Sequence, residues 1–223
     1  DHSETIGLDE GLLSATKNVD QVPFAGSLIG IGSKLTIDNI ETNVPVKISR
    51  TLGVSGGLIG GVTPNYLFLD GLTGVSSITN IKVNNDVEGF VSGGLVGATV
   101  PIYILSPSID PENVANAKIN IDGITRTGNT ICTQACSGGI ALSAIEANIT
   151  NFVNSGDVTS NLNIGTDSSA VVFQCSFQSV GGIVGVQLMF PLSIGSSSNS
   201  GNISSIDKNN SPGCGVSQEG LAQ

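Results

Sequence analysis

Gly56-Gly-Leu-Ile-Gly60, Gly93-Gly-Leu-Val-Gly97 and Gly181-Gly-Ile-Val-Gly185 are three copies of one five-residue motif, and looser copies stand at Gly26-Ser-Leu-Ile-Gly30 and Gly138-Gly-Ile-Ala-Leu142. Their starts are separated by 30, 37, 45 and 43 residues, so five copies fill the chain. A ten-residue segment interleaves with them: IDNIETNVPV from Ile37, ITNIKVNNDV from Ile78, VANAKINIDG from Val114, ITNFVNSGDV from Ile149 and IGSSSNSGNI from Ile194. The starts of these segments differ by 41, 36, 35 and 45 residues, and two motifs that alternate along the chain at similar irregular intervals indicate a repeated supersecondary unit, which overrides any reading element by element.

The residue types say what that unit is. Each copy offers short runs of β-branched residues and Leu bounded by Gly, Asn, Asp and Ser, the pattern of brief buried strands joined by tight turns. No such strand is stable alone. Stacked along an axis, each pairs with its counterpart in the next coil and buries a narrow aliphatic column, which predicts an all-β parallel β-solenoid of about five irregular coils. Thin side chains suit so narrow a core: the chain has 30 Gly, a 4% aromatic share and no Trp. Helix signals are confined to Leu8–Val19 and Asp110–Lys118. The reading divides the chain into an N-terminal cap or assembly segment (1–25), the solenoid (26–207) and a short C-terminal cap (208–223).

Position three of the ten-residue segment is Asn39, Asn80, Asn116, Asn151 and then Ser196. One Asn per coil predicts an amide ladder between coils, the alternative being that these Asn occupy turns. Cys132 precedes Gly138 by six residues and Cys175 precedes Gly181 by six. Equivalent positions of successive coils lie about 4.8 Å apart, within disulfide reach. The expected pairs are therefore Cys132–Cys175 and Cys136–Cys214.

Ser92-Gly-Gly-Leu-Val-Gly97, Ser179-Val-Gly-Gly-Ile-Val-Gly185 and the segment Ile149–Val158 resemble the GLUG repeat of secreted and surface proteins, with copies over roughly residues 25–205. The resemblance implies a β-solenoid stalk or adhesin-like module whose motif carries no catalytic residues. Departures are Ser27 for the second Gly, Gly-Gly-Ile-Ala-Leu in the fourth copy, and Gly123 in place of the final aliphatic of the third ten-residue segment.

Composition narrows the function classes. Only 8 Lys+Arg stand against 18 Asp+Glu, a formal charge of −10, which disfavours a partner such as nucleic acid that is held through its phosphates. His2 is the single histidine, and it is a poor base for a hydrolytic triad or ligand for zinc. The nearest acidic pairs, Asp86 with Glu88 and Asp110 with Glu112, read as solvated rims, and no Gly-Lys-Ser/Thr follows the glycine run at Gly53–Gly61. No catalytic residue, cofactor or metal is expected, and no apolar run is long enough for a membrane span. The aromatic residues read as core filling, with Tyr66 and Tyr103 the candidates for sugar stacking. Thr36, Thr79, Thr125, Thr150 and Thr159 do not form the paired ranks of an ice-binding face.

An opening at Asp1 without a leader, an even number of cysteines and three sequons, at Asn148, Asn202 and Asn209, predict an exported glycoprotein, extracellular or at the cell surface. The expected function is non-enzymatic: a structural subunit of an extracellular fibre, appendage or coat, assembling by self-association or with a related surface protein through its solenoid ends and N-terminal segment. The alternative is an adhesin that binds glycan or protein through inserts at Thr99–Asn113 and Asp122–Ser137.

Overall fold

The computed structural model describes residues 6–8, 23–49, 53–63, 75–99, 117–133, 136–162, 179–188 and 190–207. A first strand, β1 (Ile6–Leu8), precedes five coils. Coil one is β2 (Phe24–Gly26), β3 (Ile29–Gly32), β4 (Thr36–Thr42) and β5 (Val46–Ile48). Coil two is β6 (Val54–Gly56), β7 (Ile59–Val62), β8 (Val75–Val83) and β9 (Val87–Gly89). Coil three is β10 (Val91–Thr99), β11 (Lys118–Arg126) and β12 (Thr130–Cys132). Coil four is β13 (Cys136–Ser143), β14 (Glu146–Asn154) and β15 (Val158–Leu162). Coil five is β16 (Ser179–Val180), β17 (Val184–Gln187), β18 (Leu192–Gly195), β19 (Ser198–Asn199) and β20 (Ile203–Asp207).

All pairings are parallel and join successive coils, which makes three sheets. The A sheet runs β1-β5-β9-β12-β15-β20. The B sheet stacks the strands that carry the glycine motif, and the C sheet stacks β4, β8, β11 and β14 under β18 and β19. The all-β parallel β-solenoid is therefore the fold of the chain, with each coil running B, then C, then A. No helix occurs among the described residues: Leu8 closes β1 and Lys118 opens β11, so neither expected helix has the boundary read for it.

The glycine motif falls in register from coil to coil: Gly26 pairs with Gly56, Gly56 with Gly93, and Gly93 with Gly138. A Cβ on Gly56 would lie 2.7 Å from the backbone nitrogen of Gly97 and closer still to the Ile59 carbonyl. The strand thus kinks within the motif, and the kink brings backbone onto backbone where a side chain has no room.

The ten-residue segment also stacks, with one correction. Ile37, Ile78, Ile121, Ile149 and Ile194 form one column, so the third copy starts at Ile121 rather than Val114. Position three is accordingly Asn39, Asn80, Gly123, Asn151 and Ser196, and all five have φ between +48 and +67. Asn116 lies outside the described residues. This is the left-handed region, which Asn and Gly enter most cheaply. The turn reading of the Asn thus prevails over the amide ladder. Its effect is a phase change: Ile78 and Ile81 both point inward while Thr79 and Asn80 both point outward, so the strand bends and each half keeps an apolar inner face.

The larger core cluster joins B-sheet residues Leu58, Ile59, Leu95, Val96 and Ile140 to C-sheet residues Ile78, Ile81, Ile121, Ile124, Ile149 and Phe152. A smaller one joins Val54, Val91, Ala98 and Ala141 to Phe90 and Cys132. Among the described aromatic residues Phe90 and Phe152 are buried and Phe24 and Phe190 half-buried, as core filling requires. Tyr66, Phe68, Tyr103, Phe173 and Phe177 lie outside the described residues.

Coil lengths differ while one corner does not. Between the C and A sheets the chain always takes three residues, 43–45, 84–86, 127–129, 155–157 and 200–202. The extra length falls at the other two corners.

Candidate functional site

Three features carry the polar chemistry of the described residues: an interior corner, columns of Asp and Asn on the outside, and the terminal coil.

The interior corner is built by the last residue of each C-sheet pass. These residues are Thr42, Val83, Arg126, Asn154 and Asn199, stacked in register. Arg126 is fully buried. It donates from Nη1 to Asn154 Oδ1 at 2.7 Å, and from Nη2 to the Gly128 carbonyl at 2.5 Å and to Thr130 Oγ1. None of these partners is a carboxylate, and its Nε, like the nearby Asn85 Oδ1, has no hydrogen-bond partner among the described residues. Burial pulls the guanidinium down to about 10, with the charge of Asp86 opposing the shift. Asn154 continues the corner by donating to the Gly156 carbonyl at 2.9 Å and to Asn199 Oδ1 at 2.5 Å.

In coils two, three and five the second glycine of the motif faces this corner. A Cβ on Gly94 would collide with the Arg126 guanidinium, and one on Gly182 with Asn199. Coil one holds Ser27 there because its corner residue is the short Thr42, whose hydroxyl donates to Ser27 Oγ at 2.8 Å. The Ser27 departure from the motif is therefore a matched substitution. The fourth copy is matched too. It is one residue shorter, since Gly138 and Ile140 align with Gly93 and Val96. In that coil the Ile40, Ile81, Ile124 column carries Phe152, whose Cζ lies 2.6 Å from where a Cβ of Gly139 would be. The ring occupies space that Leu58 and Leu95 fill in the preceding coils.

Outside, acids are spent on coil-to-coil clasps. Asp38 accepts from Thr79 Oγ1 at 2.6 Å and Asn80 Nδ2 at 2.8 Å. Asp122 accepts from Thr150 and Asn151 with the same two distances. The Thr hydroxyl first, and then the Asn amide, hold both carboxyls below the usual range. At the invariant corner Asp86 accepts from the Asn129 amide at 2.7 Å, and Asp157 from the Asn202 backbone at 2.9 Å and its side chain at 3.0 Å. Lys47 with Glu88 and Lys118 with Glu146, each at 2.9 Å, also bridge neighbouring coils. Glu146 is lowered by Lys118 and then by Asn148. The Asp86 and Glu88 pair is thus part of the stack, each acid facing its own partner. Among the described residues no group of three or more His, Cys, Asp or Glu is placed to hold a metal.

The terminal coil differs from the others. From Ser168 to Ile206 no Asp, Glu, Lys, Arg or His occurs. Its members of the inward columns are open: Ile194 is 46% and Ile203 44% exposed, whereas their counterparts Ile149 and Val158 one coil below are fully buried. Leu192, above the buried Ala147, is 37% exposed. Among the described residues nothing pairs with the outer edges of β16–β20. In the first coil Ala25, Ile37 and Val46 are buried, while Leu28 and Ile31 are exposed.

The remaining predicted positions scatter. Cys132 is buried, its Sγ 2.7 Å from the Phe90 carbonyl oxygen. The residue in register with it in the next coil is Ser160, because residues 163–178 enter between β15 and β16, so the six-residue offset from the glycine motif does not carry over. Cys136 stands in β13, and Cys175 and Cys214, with which the pairs were expected, lie outside the described residues. Asn148 sits in mid-strand, half-buried, its Nδ2 directed at Asn120 Oδ1 and Glu146 Oε1. Asn202 is exposed at the invariant corner, and Asn209 lies outside the described residues. Asp122–Ser137, read as an insert, is instead regular coil containing most of β11 and all of β12. Thr99 ends β10, while residues 100–113, including Asp110 and Glu112, lie outside the described residues, as do His2 and Arg50. No helix of the described residues is long and apolar enough to cross a membrane.

No family model matches the chain, and no curated protein or solved structure matches it.

Proposed function

We propose that the chain is a non-enzymatic structural subunit, exported and assembling end to end into an extracellular fibre, appendage or coat. The observation that carries the reading is the terminal coil. Sheet edges in solitary proteins are blunted by charge, proline or a covering segment, since an exposed edge recruits further strands. Among the described residues this one joins unpaired strand edges in three sheets to unfinished apolar columns, and Asp207 at the end of β20 is the one formal charge of the described coil. The surface matches another layer of solenoid far better than it matches water. The resemblance to GLUG repeats supports the same class of extracellular structural protein.

Negative-stain electron microscopy and sedimentation velocity across a concentration series test this. The wild type should give rods that lengthen with concentration, and the double variant Ile194→Lys/Ile203→Lys, which places charge on the end face, should remain single. Dispersed single rods of the wild type at every concentration would remove the assembly reading.

A further inference from the structure

Among the described residues the three sheets do not end level. The described strands make five layers in the B and C sheets and six in the A sheet, because β1 lies beyond β5 in register with it: Ile6 with Val46, Gly7 with Lys47, Leu8 with Ile48. At the other end β20 closes the A sheet in the same layer as β16–β19.

Symmetry decides which ends can meet. A two-fold axis across the solenoid reverses the order of B, C and A around it, so at most one sheet would meet its own counterpart. A head-to-tail contact meets all three, and a heterologous contact of this kind continues without closing. Head-to-tail stacking, however, sets the β20 of one copy and the β1 of the next in one layer. With coil one of the upper copy seated on coil five of the lower, both strands claim the edge of the upper copy's β5.

Resting on the assembly reading above, we propose that β1 is an exchangeable strand: its site along β5 is the docking site for β20 of a second copy, and β1 leaves when that copy binds. The two occupants are closely matched. Val158 of β15 pairs with Ile203 on its β20 side, and Val46 of β5 pairs with Ile6 on its β1 side. Val46 and Val158 belong to one inward column, Val46–Val87–Thr130–Val158–Ile203. Beside Val46 the incoming Ile203 takes the register position of Ile6. The backbone ladder keeps one phase throughout, the Val46 amide donating to the Asp86 carbonyl and the Val158 amide to that of Asn202. By that phase the amides of Ile6 and Leu8 face β5. β1 is three residues long where β20 is five, so the incoming strand offers the longer ladder.

Two full-length variants and one dimension test this. Gly7→Cys/Lys47→Cys joins directly paired residues, whose Cα separation in a parallel pair suits a disulfide. Oxidised, it should not assemble; reduced, it should assemble as the wild type does under the same reductant. Ile6→Pro/Leu8→Pro removes the two amides that face β5 and should lower the concentration for half-assembly about tenfold, the scale of two ladder hydrogen bonds. The axial repeat of the filaments should be roughly 24 Å, five strand spacings, and not the roughly 29 Å of six that retention of β1 would give. Filaments of wild type that form equally well from the locked variant, or that repeat at six spacings, overturn the exchange and leave end-to-end assembly standing. Failure of wild type and proline variant alike to assemble at any concentration overturns both.

Discussion

Phe152 and the shortened glycine motif of coil four form a compensating pair, and the compensation can be measured. Coils two and three place a fully buried Leu58 or Leu95 in the motif and an Ile in the facing column; coil four lacks that Leu and places Phe152, also fully buried, in the column. Phe152→Ile leaves the space of the ring unfilled, and the loss of a buried aromatic with partial collapse costs roughly 1–2 kcal/mol. Inserting a Leu between Gly139 and Ile140 restores the length of the other copies but drives a side chain into the ring, an overpacking cost of about 1–3 kcal/mol. Made together, the two changes recreate the packing of coil three. The double variant should then lie within about 1 kcal/mol of the wild type, a favourable coupling of roughly 2 kcal/mol. Urea unfolding of the four proteins, followed by circular dichroism with unchanged m values, gives the coupling. A double variant as unstable as the sum of its parts would refute the argument, and so would a Phe152→Ile variant as stable as the wild type.

The left-handed position supplies a second expectation: Asn80→Gly keeps the conformation and should be nearly neutral, whereas Asn80→Val should cost about 1–2 kcal/mol in the same unfolding assay. Acid should loosen the outer clasps. Asp38 and Asp122 have pKa values below the ordinary aspartate 3.8 in the fold, so their contribution is present above that value and is lost as the pH falls through the lowered one. Carboxyl resonances followed by NMR should titrate late, and Asp38→Asn/Asp122→Asn should flatten the acid limb of the stability curve. Arg126 gives the same sign at high pH, there as relief of a burial penalty. Its folded pKa, about 10, lies below that of a solvated arginine, so the unfolded chain binds more protons in that window. Relative to Arg126→Gln, the wild type should gain stability as the pH rises through about 10, and a flat difference between the two would show that the guanidinium is not desolvated as described.

The solenoid was legible because both motifs encode backbone events that recur once per coil: a kink that excludes Cβ and a left-handed residue that shifts the strand's phase. The one misplaced copy shows the limit of matching by residue identity. Gly123 fills the position of Asn39, Asn80 and Asn151, and a search for Asn passes over it although glycine meets the same backbone demand. That slip also hid Arg126. Aligned from Ile121, it falls where the other coils have Thr42, Val83, Asn154 and Asn199, and a charged side chain in an inward column stands out at once. The disulfide register was unreadable for a different reason. Spacing along the chain measures spacing along the axis only where no corner changes length, and the corner between β15 and β16 does. The open end was written in the sequence from Ser168 to Ile206 as a missing charge, but its meaning depends on knowing that this stretch is the last layer.

The inequality of the coils has a mechanical side. Every coil adds one strand spacing to the height of the body, about 4.8 Å, however many residues it spends going round. Between successive glycine motifs it spends 30, 37, 45 or 43 residues. Drawn apart by its ends, a stack of this kind yields one layer at a time. Each layer that lets go releases a slack of roughly 105–160 Å, set by the contour of that coil alone. A single molecule under tension would therefore lengthen in uneven steps, and the order of the step sizes would report which coil gave way first.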